Sequence, residues 1–216
     1  MPPSPDPNDP LAFLPASLRL LAQRGEFKRY RKGHLLIEEG DQGDAIYIIL
    51  SGRVRVFSSG DKGRELTLGT YAGGEYIGEI SLDGGPRSAS VETLEPCECM
   101  IVTKQSVLQH IAEHPEFAFD LLAKVARRAR VATLSAKQLA LNDVYGRLVL
   151  LLNSLAAAQP DGTRPISERL THQEMANRLG CSREMVSRLL KDLEAGGYLS
   201  TSSRTLSLLR TLPSRW

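Results

Sequence analysis

Residues 170–200 read LTHQEMANRLGCSREMVSRLLKDLEAGGYLS, and this stretch decides the architecture. Thr171 followed three residues later by Glu174 is the pattern of a capping box, so a helix starts there and runs to Leu179. Gly180 supplies its stop. Ser182 caps a second helix, whose apolar residues Met185, Val186, Leu189, Leu190 and Leu193 form one buried stripe. Two helices joined by so short a glycine-containing turn make a helix-turn-helix, whose second helix enters the major groove of DNA by its N-terminal turns. Arg183, Glu184, Ser187 and Arg188 occupy those turns. Arginine binds guanine O6 and N7 through two parallel hydrogen bonds and glutamate accepts from cytosine N4, each good pair contributing about 1–3 kcal/mol of discrimination. Gly196, Gly197 and the strand-like segments around YLSTSS and TLSLLR predict a two-stranded wing, with Ser202, Ser203 and Arg204 at its tip against the DNA backbone.

Upstream, QPDGTRPISE (residues 159–168) reads as a loop rich in Pro and Gly, and VYGRLVLLLNSLAAA before it as a helix with Asp143 as N-cap. Between Pro115 and Gly146 there is no proline or glycine, so residues 116–141 form one helix of about seven turns. Leu122, Val125, Ala129, Ala132, Ala136 and Leu139 fall at spacings of 3 and 4, the seam of a coiled coil, with Arg127, Arg128, Arg130 and Lys137 outside it. This helix is expected to pair with its own copy in a homodimer. From Glu26 to Val102, short β-rich runs such as AIYIIL and RVRVF alternate with glycines, the texture of a compact antiparallel sandwich or barrel. Alternation in GRVRVF puts Val54 and Val56 on one face and leaves Arg55 as a solvated charge on the other. Leu11, Leu14, Leu18 and Leu21 predict a small helix ahead of the strands. The fold class is therefore α+β: an N-terminal jelly-roll-like β-roll (1–115), a central dimerisation helix (116–141) and a C-terminal winged helix-turn-helix (142–216).

Charge follows this division. The 216 residues carry a formal net charge of +2, but residues 144–216 hold ten Lys/Arg against six Asp/Glu and the rest of the chain is net acidic, so the C-terminal part is the one suited to phosphates. The opening, with Pro2, Pro3, Pro5, Pro7 and Pro10, lacks the basic-then-apolar order of a signal peptide. No run approaches the ~18 apolar residues of a membrane span, so a soluble cytoplasmic protein without membrane attachment is expected. Cys97, Cys99 and Cys181 are an odd number without metal-site spacing, as in a reducing compartment.

GEYIGEISLDGGPRSASV (residues 74–91) combines a glycine-relieved turn at Gly78, the acid Glu79, and Arg87 followed by the small Ser88. Arg87 offers a fork of donors, Ser88 a hydroxyl, and Glu79 an acceptor for a sugar hydroxyl, so the segment is suited to cradle a phosphorylated sugar. The string from Gly78 through Glu79, Ile80 and Ser81 to Arg87, Ser88 and Ala89 resembles the phosphate-binding cassette of cyclic-nucleotide-binding domains. GCSRE with its following Val, Arg and Leu resembles the recognition helix of the CRP/FNR family, particularly the catabolite activator branch, and the likeness runs from about Phe27 to Leu209. This resemblance implies a homodimer that works on double-stranded DNA with RNA polymerase, and whose DNA-binding domains are reoriented by a ligand beside the central helices. It puts ribose recognition on Glu79, the cyclic phosphate on Arg87 and Ser88, and backbone contacts on Gly78 and Ile80. It puts DNA reading on Arg183, Glu184 and Arg188, with Thr171, Gln173, Ser182, Ser187 and Arg204 completing the DNA-facing set and TGTGA as the half-site.

In the cyclic-AMP-responsive branch the adenine amino group meets consecutive hydroxyl residues of the central helix, which fall here at Ala132 and Thr133. Only Thr133 keeps its hydroxyl; the resemblance favours cyclic AMP as effector, with cyclic GMP, cyclic di-GMP or no small ligand as the alternatives. Iron–sulfur members carry a cluster of N-terminal cysteines, whereas the first cysteine here is Cys97. His34, His110, His114 and His172 form no haem or metal set, so neither a metal nor a tightly bound cofactor is expected. The acids lie dispersed on turns and helices with no nucleophile–base arrangement, which speaks against an enzyme. A nucleotide-binding module acting on a protein partner would keep Glu79 and Arg87 but have no use for Arg183, Glu184 and Arg188 together.

Overall fold

A computed structural model describes residues 11–60, 63–159, 163–202 and 205–213. Its contacts divide the chain into two compact units, Met1–Ser59 with Thr67–Arg130 and Gly60–Leu66 with Val131–Trp216. Among the described residues no helix is long and apolar enough to cross a membrane.

The first unit is built on two four-stranded sheets. One has the order β1 (Glu26–Tyr30), β8 (Cys97–Thr103), β3 (Ala45–Ser51), β6 (Tyr76–Ile77). The other has the order β2 (Leu35–Ile37), β7 (Ser90–Thr93), β4 (Arg53–Ser59), β5 (Glu65–Ala72). The strand period of two explains how one strand serves two cores. On β8, Cys97 and Cys99 pack with Ile49, Val54, Ile77 and Val91 of both sheets, while Met100 and Val102 face a second cluster. That second cluster is covered by helix α1 (Ala16–Ala22) and by Val107 of helix α2 (Lys104–Glu113). Leu11, Leu14, Leu18 and Leu21 are all buried there, as their spacing anticipates. The two cysteines are thus core side chains, and burial pushes the Cys99 thiol up to about 12. His110 of α2 is wholly buried, its ring edge-on to Phe117 at 5.1 Å. Burial holds its pKa below the usual histidine range, so it stays neutral in the core.

Arg55 departs from the expectation of a solvated charge. β4 lies inside its sheet and Arg55 is in register with Glu92 of β7, so Nη2 donates to Glu92 at 3.0 Å. The guanidinium also lies 4.2 Å from the Phe57 ring centroid, a cross-strand and cation–π arrangement that holds it half-buried.

Helix α3 spans Glu116–Leu141, as the proline and glycine spacing anticipates, and Phe117 is its only buried residue among those described. Leu122 is 64% exposed and Leu134 59%, and every residue from 129 to 141 is exposed. A helix of this length, about 39 Å, whose apolar seam is exposed among the described residues, leaves surface that water solvates poorly.

The second unit packs helix α4 (Val144–Leu155), helix α5 (His172–Leu179), helix α6 (Arg183–Ala195) and a small sheet around Leu148, Leu152, Val186, Leu193, Leu199 and Leu208. Asp143 caps α4 by accepting from the Gly146 N–H. The sheet has the order β10 (Leu199–Ser202), β11 (Thr205–Leu208), β9 (Arg164–Ile166). β9 lies within the segment read as a loop, so the wing has three strands rather than two. The pairing Leu206↔Ile166 buries Ile166, and Pro165, which has no N–H to donate, is tolerated because β9 is the edge strand.

Candidate effector pocket and nucleic-acid interface

β6 ends at Ile77, and Gly78 follows with φ 87°, the left-handed region that favours glycine. It opens a 3-10 turn over Glu79–Asp83, and the chain returns through Arg87 to β7. The Arg87 guanidinium is buried and ties two backbone carbonyls and a serine hydroxyl together. Nη1 donates to the Gly78 carbonyl at 2.9 Å and to Ser81 Oγ at 2.7 Å, and Nη2 donates to the Ala45 carbonyl at 2.8 Å. A Cβ at Gly43 would overlap the Arg87 guanidinium, so a side chain there would force Arg87 to shift.

Beside Arg87, the Glu79 side chain is wholly buried. Its Oε1 accepts from Arg128 Nη1, and Arg128 Nη2 donates to the Tyr76 carbonyl at 2.9 Å. The Arg128 guanidinium also lies 4.6 Å from the Tyr71 ring centroid. Glu79 Oε2 and Arg128 Nε are buried with no hydrogen-bond partner among the described residues. Arg87, Ser88, Ala89 and Arg128, with the apolar walls Ile37, Val56, Ile77 and Val91, line an open cleft, and Glu79 lies behind Arg128. The structure therefore brings together Gly78, Ile80, Ser81, Arg87, Ser88 and Ala89 on this cleft, and holds Glu79 against the lining residue Arg128. Ala132 and Thr133, the remaining ligand candidates, lie beyond Arg128 on the exposed part of α3.

In the sequence Arg128 is a charge outside the seam. Its signal is a second stripe on α3: Phe117 and Leu121 pack on the roll, and the same 4-3-4 spacing continues to Lys124 and Arg128. Lys124 Nζ sits 3.7 Å from the Tyr76 ring centroid, and burial, with Arg128 adding to it, holds its pKa down to about 8. Burial and the Glu79 charge push Tyr76 up to about 12.

The helix-turn-helix forms as its caps predict. Thr171 Oγ1 accepts from the Glu174 N–H at 3.1 Å, and the Glu174 carboxylate accepts from the Thr171 N–H at 2.6 Å. Gly180 closes α5 at φ 65°, and Ser182 Oγ accepts from the Met185 N–H to open α6. With Val186, Leu189, Leu190 and Leu193 buried, Arg183, Glu184 and Arg188 are left exposed on the opposite face. The backbone N–H of Glu184 itself, then the Ser182 hydroxyl, hold the Glu184 carboxyl below the usual range, so it is a charged acceptor at neutral pH. Gln173 Nε2 donates to Asn177 Oδ1 at 2.8 Å, and His172 Nδ1 lies 2.7 Å from Ser187 Oγ. Ser203 and Arg204 lie outside the described residues. Among the described residues no group of three His, Cys, Asp or Glu is placed to hold a metal.

Comparison with known proteins gives two family matches, a cyclic nucleotide-binding domain over residues 27–114 and a Crp-like helix-turn-helix domain over residues 146–211. The cAMP-activated global transcriptional regulator CRP of Escherichia coli is 34% identical over 188 residues, covering 85% of this chain and 89% of that protein. A CRP-like cAMP-activated global transcriptional regulator of Mycobacterium tuberculosis is 30% identical over 196 residues, covering 89% and 88%. Among solved structures, the c-di-GMP-responsive global regulator CLP of Xanthomonas campestris superposes with a TM-score of 0.79 at 28% identity, covering 90% of this chain and 99% of that one. A nucleotide-binding roll followed by a long helix and a capped helix-turn-helix, matched over nearly the whole length by regulators at this identity, has one reading: the chain belongs to the CRP/FNR family of transcription regulators.

Proposed function

We propose that this chain is a homodimeric, effector-controlled regulator that binds a TGTGA-like palindrome, with cyclic AMP as its effector, and that it acts in the cytoplasm together with RNA polymerase. Residues 1–115 hold the effector, 116–141 join the two copies and 142–216 bind DNA. The observation that carries the effector reading is Glu79 Oε2, a buried acceptor without a partner beside Arg87 and Arg128. Such a group costs about 1–3 kcal/mol while unmet, and a ribose hydroxyl donates to it while the cyclic phosphate lies toward the arginines. A second reading, cyclic di-GMP, draws support from Ala132, which lacks the hydroxyl, and from the likeness to the regulator CLP.

The dimer presents two recognition helices about 34 Å apart, one turn of DNA, so the half-sites are related by two-fold symmetry. Arg183→Ala is expected to lower discrimination at one guanine by about 1–3 kcal/mol. Arg204→Ala is expected to weaken all sequences alike and reduce the salt slope by about 1. Competition by single-base variants of the half-site, read by fluorescence anisotropy, separates the two. Equal loss of specific and nonspecific binding in Arg183→Ala would make Arg183 a backbone contact and move the reading surface elsewhere.

A further inference from the structure

His172 and Ser187 belong to different helices, yet Nδ1 and Oγ stand 2.7 Å apart. His172 is the first residue of α5, between Thr171 and Gln173, and is exposed. Ser187 lies one turn past Arg183 and Glu184 on α6 and directly precedes Arg188. The pair thus bridges the two helices at the surface assigned to DNA.

We propose that His172 is a positioning residue whose proton sets what Ser187 offers to a base, making part of the sequence preference depend on pH. The proposal rests on the reading of α6 as the DNA-reading helix. A neutral imidazole that gives its Nε2–H to a phosphate oxygen, an acceptor only, has a bare Nδ1. The Ser187 hydroxyl then donates to Nδ1, and its oxygen has only lone pairs left for a base edge. Those lone pairs suit the donor of cytosine N4. In the imidazolium, Nδ1–H donates to Ser187 Oγ and the hydroxyl hydrogen is released outward, where it suits guanine O6 or N7. Histidine is the side chain whose charge changes between pH 5 and 8.

The charged groups around the pair leave room for that change. In the loop before α5, Glu168 is engaged by Arg178, and Arg169 lines the same cleft as His172. On α5, Glu174 is held by Thr171. On α6, Arg188 is turned to Met185 Sδ at 2.9 Å, with Arg183, Glu184 and Lys191 exposed on neighbouring turns. On β10, Thr201 lines the cleft and its N–H donates to Glu194 Oε1 at 3.0 Å, which engages that carboxylate. No carboxylate is hydrogen-bonded to His172 in the described structure; its ring nitrogen meets the Ser187 hydroxyl instead.

The test compares guanine with cytosine at the base pair facing Ser187, at pH 5.5 and pH 8.0, for the parent, His172→Gln and Ser187→Ala. The parent's guanine-over-cytosine ratio is expected to rise roughly three- to tenfold at the lower pH, the worth of one hydrogen bond. Both variants are expected to show a ratio that does not move with pH. Because all three proteins keep His110 in the core, any acid effect on folding is common to them. A pH-independent ratio in the parent, or a shift retained in His172→Gln, overturns the proposal. If the parent binds no sequence specifically at either pH, the DNA reading of α6 falls first and this proposal with it.

Discussion

Replacing Val125 with Asp is expected to convert the protein from dimer to monomer. Val125 lies in the middle of the apolar seam of α3, 38% exposed in the single chain, with Leu122 at 64% and Leu139 at 40%. In a two-fold interface the same residues meet their own copies, so the substitution places two carboxylates close together in an apolar seam. An uncompensated buried charge costs about 3–5 kcal/mol, and here it enters twice and like meets like. Because Val125 is not part of either hydrophobic cluster of the roll, the monomer should keep its fold. Sedimentation equilibrium is expected to report half the parent mass with unchanged circular dichroism. A dimer mass in Val125→Asp would place the interface on another surface.

Arg87→Leu is expected to abolish nucleotide binding, and to lower stability as well. Read from the residues alone, Arg87 is an anchor whose loss leaves the fold intact. The structure adds a second role, since its guanidinium satisfies the Gly78 and Ala45 carbonyls and Ser81 Oγ. Ser81 Oγ still donates to the Gly78 carbonyl in the variant, but the Ala45 carbonyl loses its arginine donor; a buried group left unmet costs about 1–3 kcal/mol, so the melting temperature falls along with affinity. Glu79→Gln separates the two effects. It keeps the shape of the side chain and an oxygen for Arg128, but removes the charge and replaces the acceptor that meets the sugar hydroxyl by an amide donor, so calorimetry should show weaker binding while the Gly78, Ser81 and Ala45 contacts of Arg87 stay in place. A Glu79→Gln variant that binds cyclic nucleotides as the parent does would remove Glu79 from the ligand's shell.

The elements most legible in the sequence are those whose ends are written in local chemistry. The Thr171–Glu174 box, Gly180, Ser182 and Asp143 each act through a hydrogen bond or a backbone angle within a few residues, so α4, α5 and α6 begin and end where the pattern puts them. α3 starts after Pro115 and runs unbroken for lack of Pro and Gly, until Asn142 and the Asp143 cap of α4 end it. What stayed hidden depends on partners distant along the chain. β9 is three residues long and exists because β11 pairs with it. Arg55 looks solvated until the register sets Glu92 opposite it. Arg128 carries no local mark, and its role is set by Glu79, forty-nine residues away. The cassette itself was legible through resemblance, but the engagement of Arg87 by carbonyls of its own unit was not.

Binding of a labelled TGTGA palindrome, titrated without nucleotide and with cyclic AMP, cyclic GMP or cyclic di-GMP, tests effector control of DNA binding most directly. A ligand that favours the DNA-competent dimer by about 1–3 kcal/mol tightens binding about 5- to 150-fold. The expected result is such a tightening with cyclic AMP, lost in Glu79→Gln. Equal affinity in the presence and absence of all three nucleotides would contradict it, leaving a DNA-binding protein that no nucleotide controls.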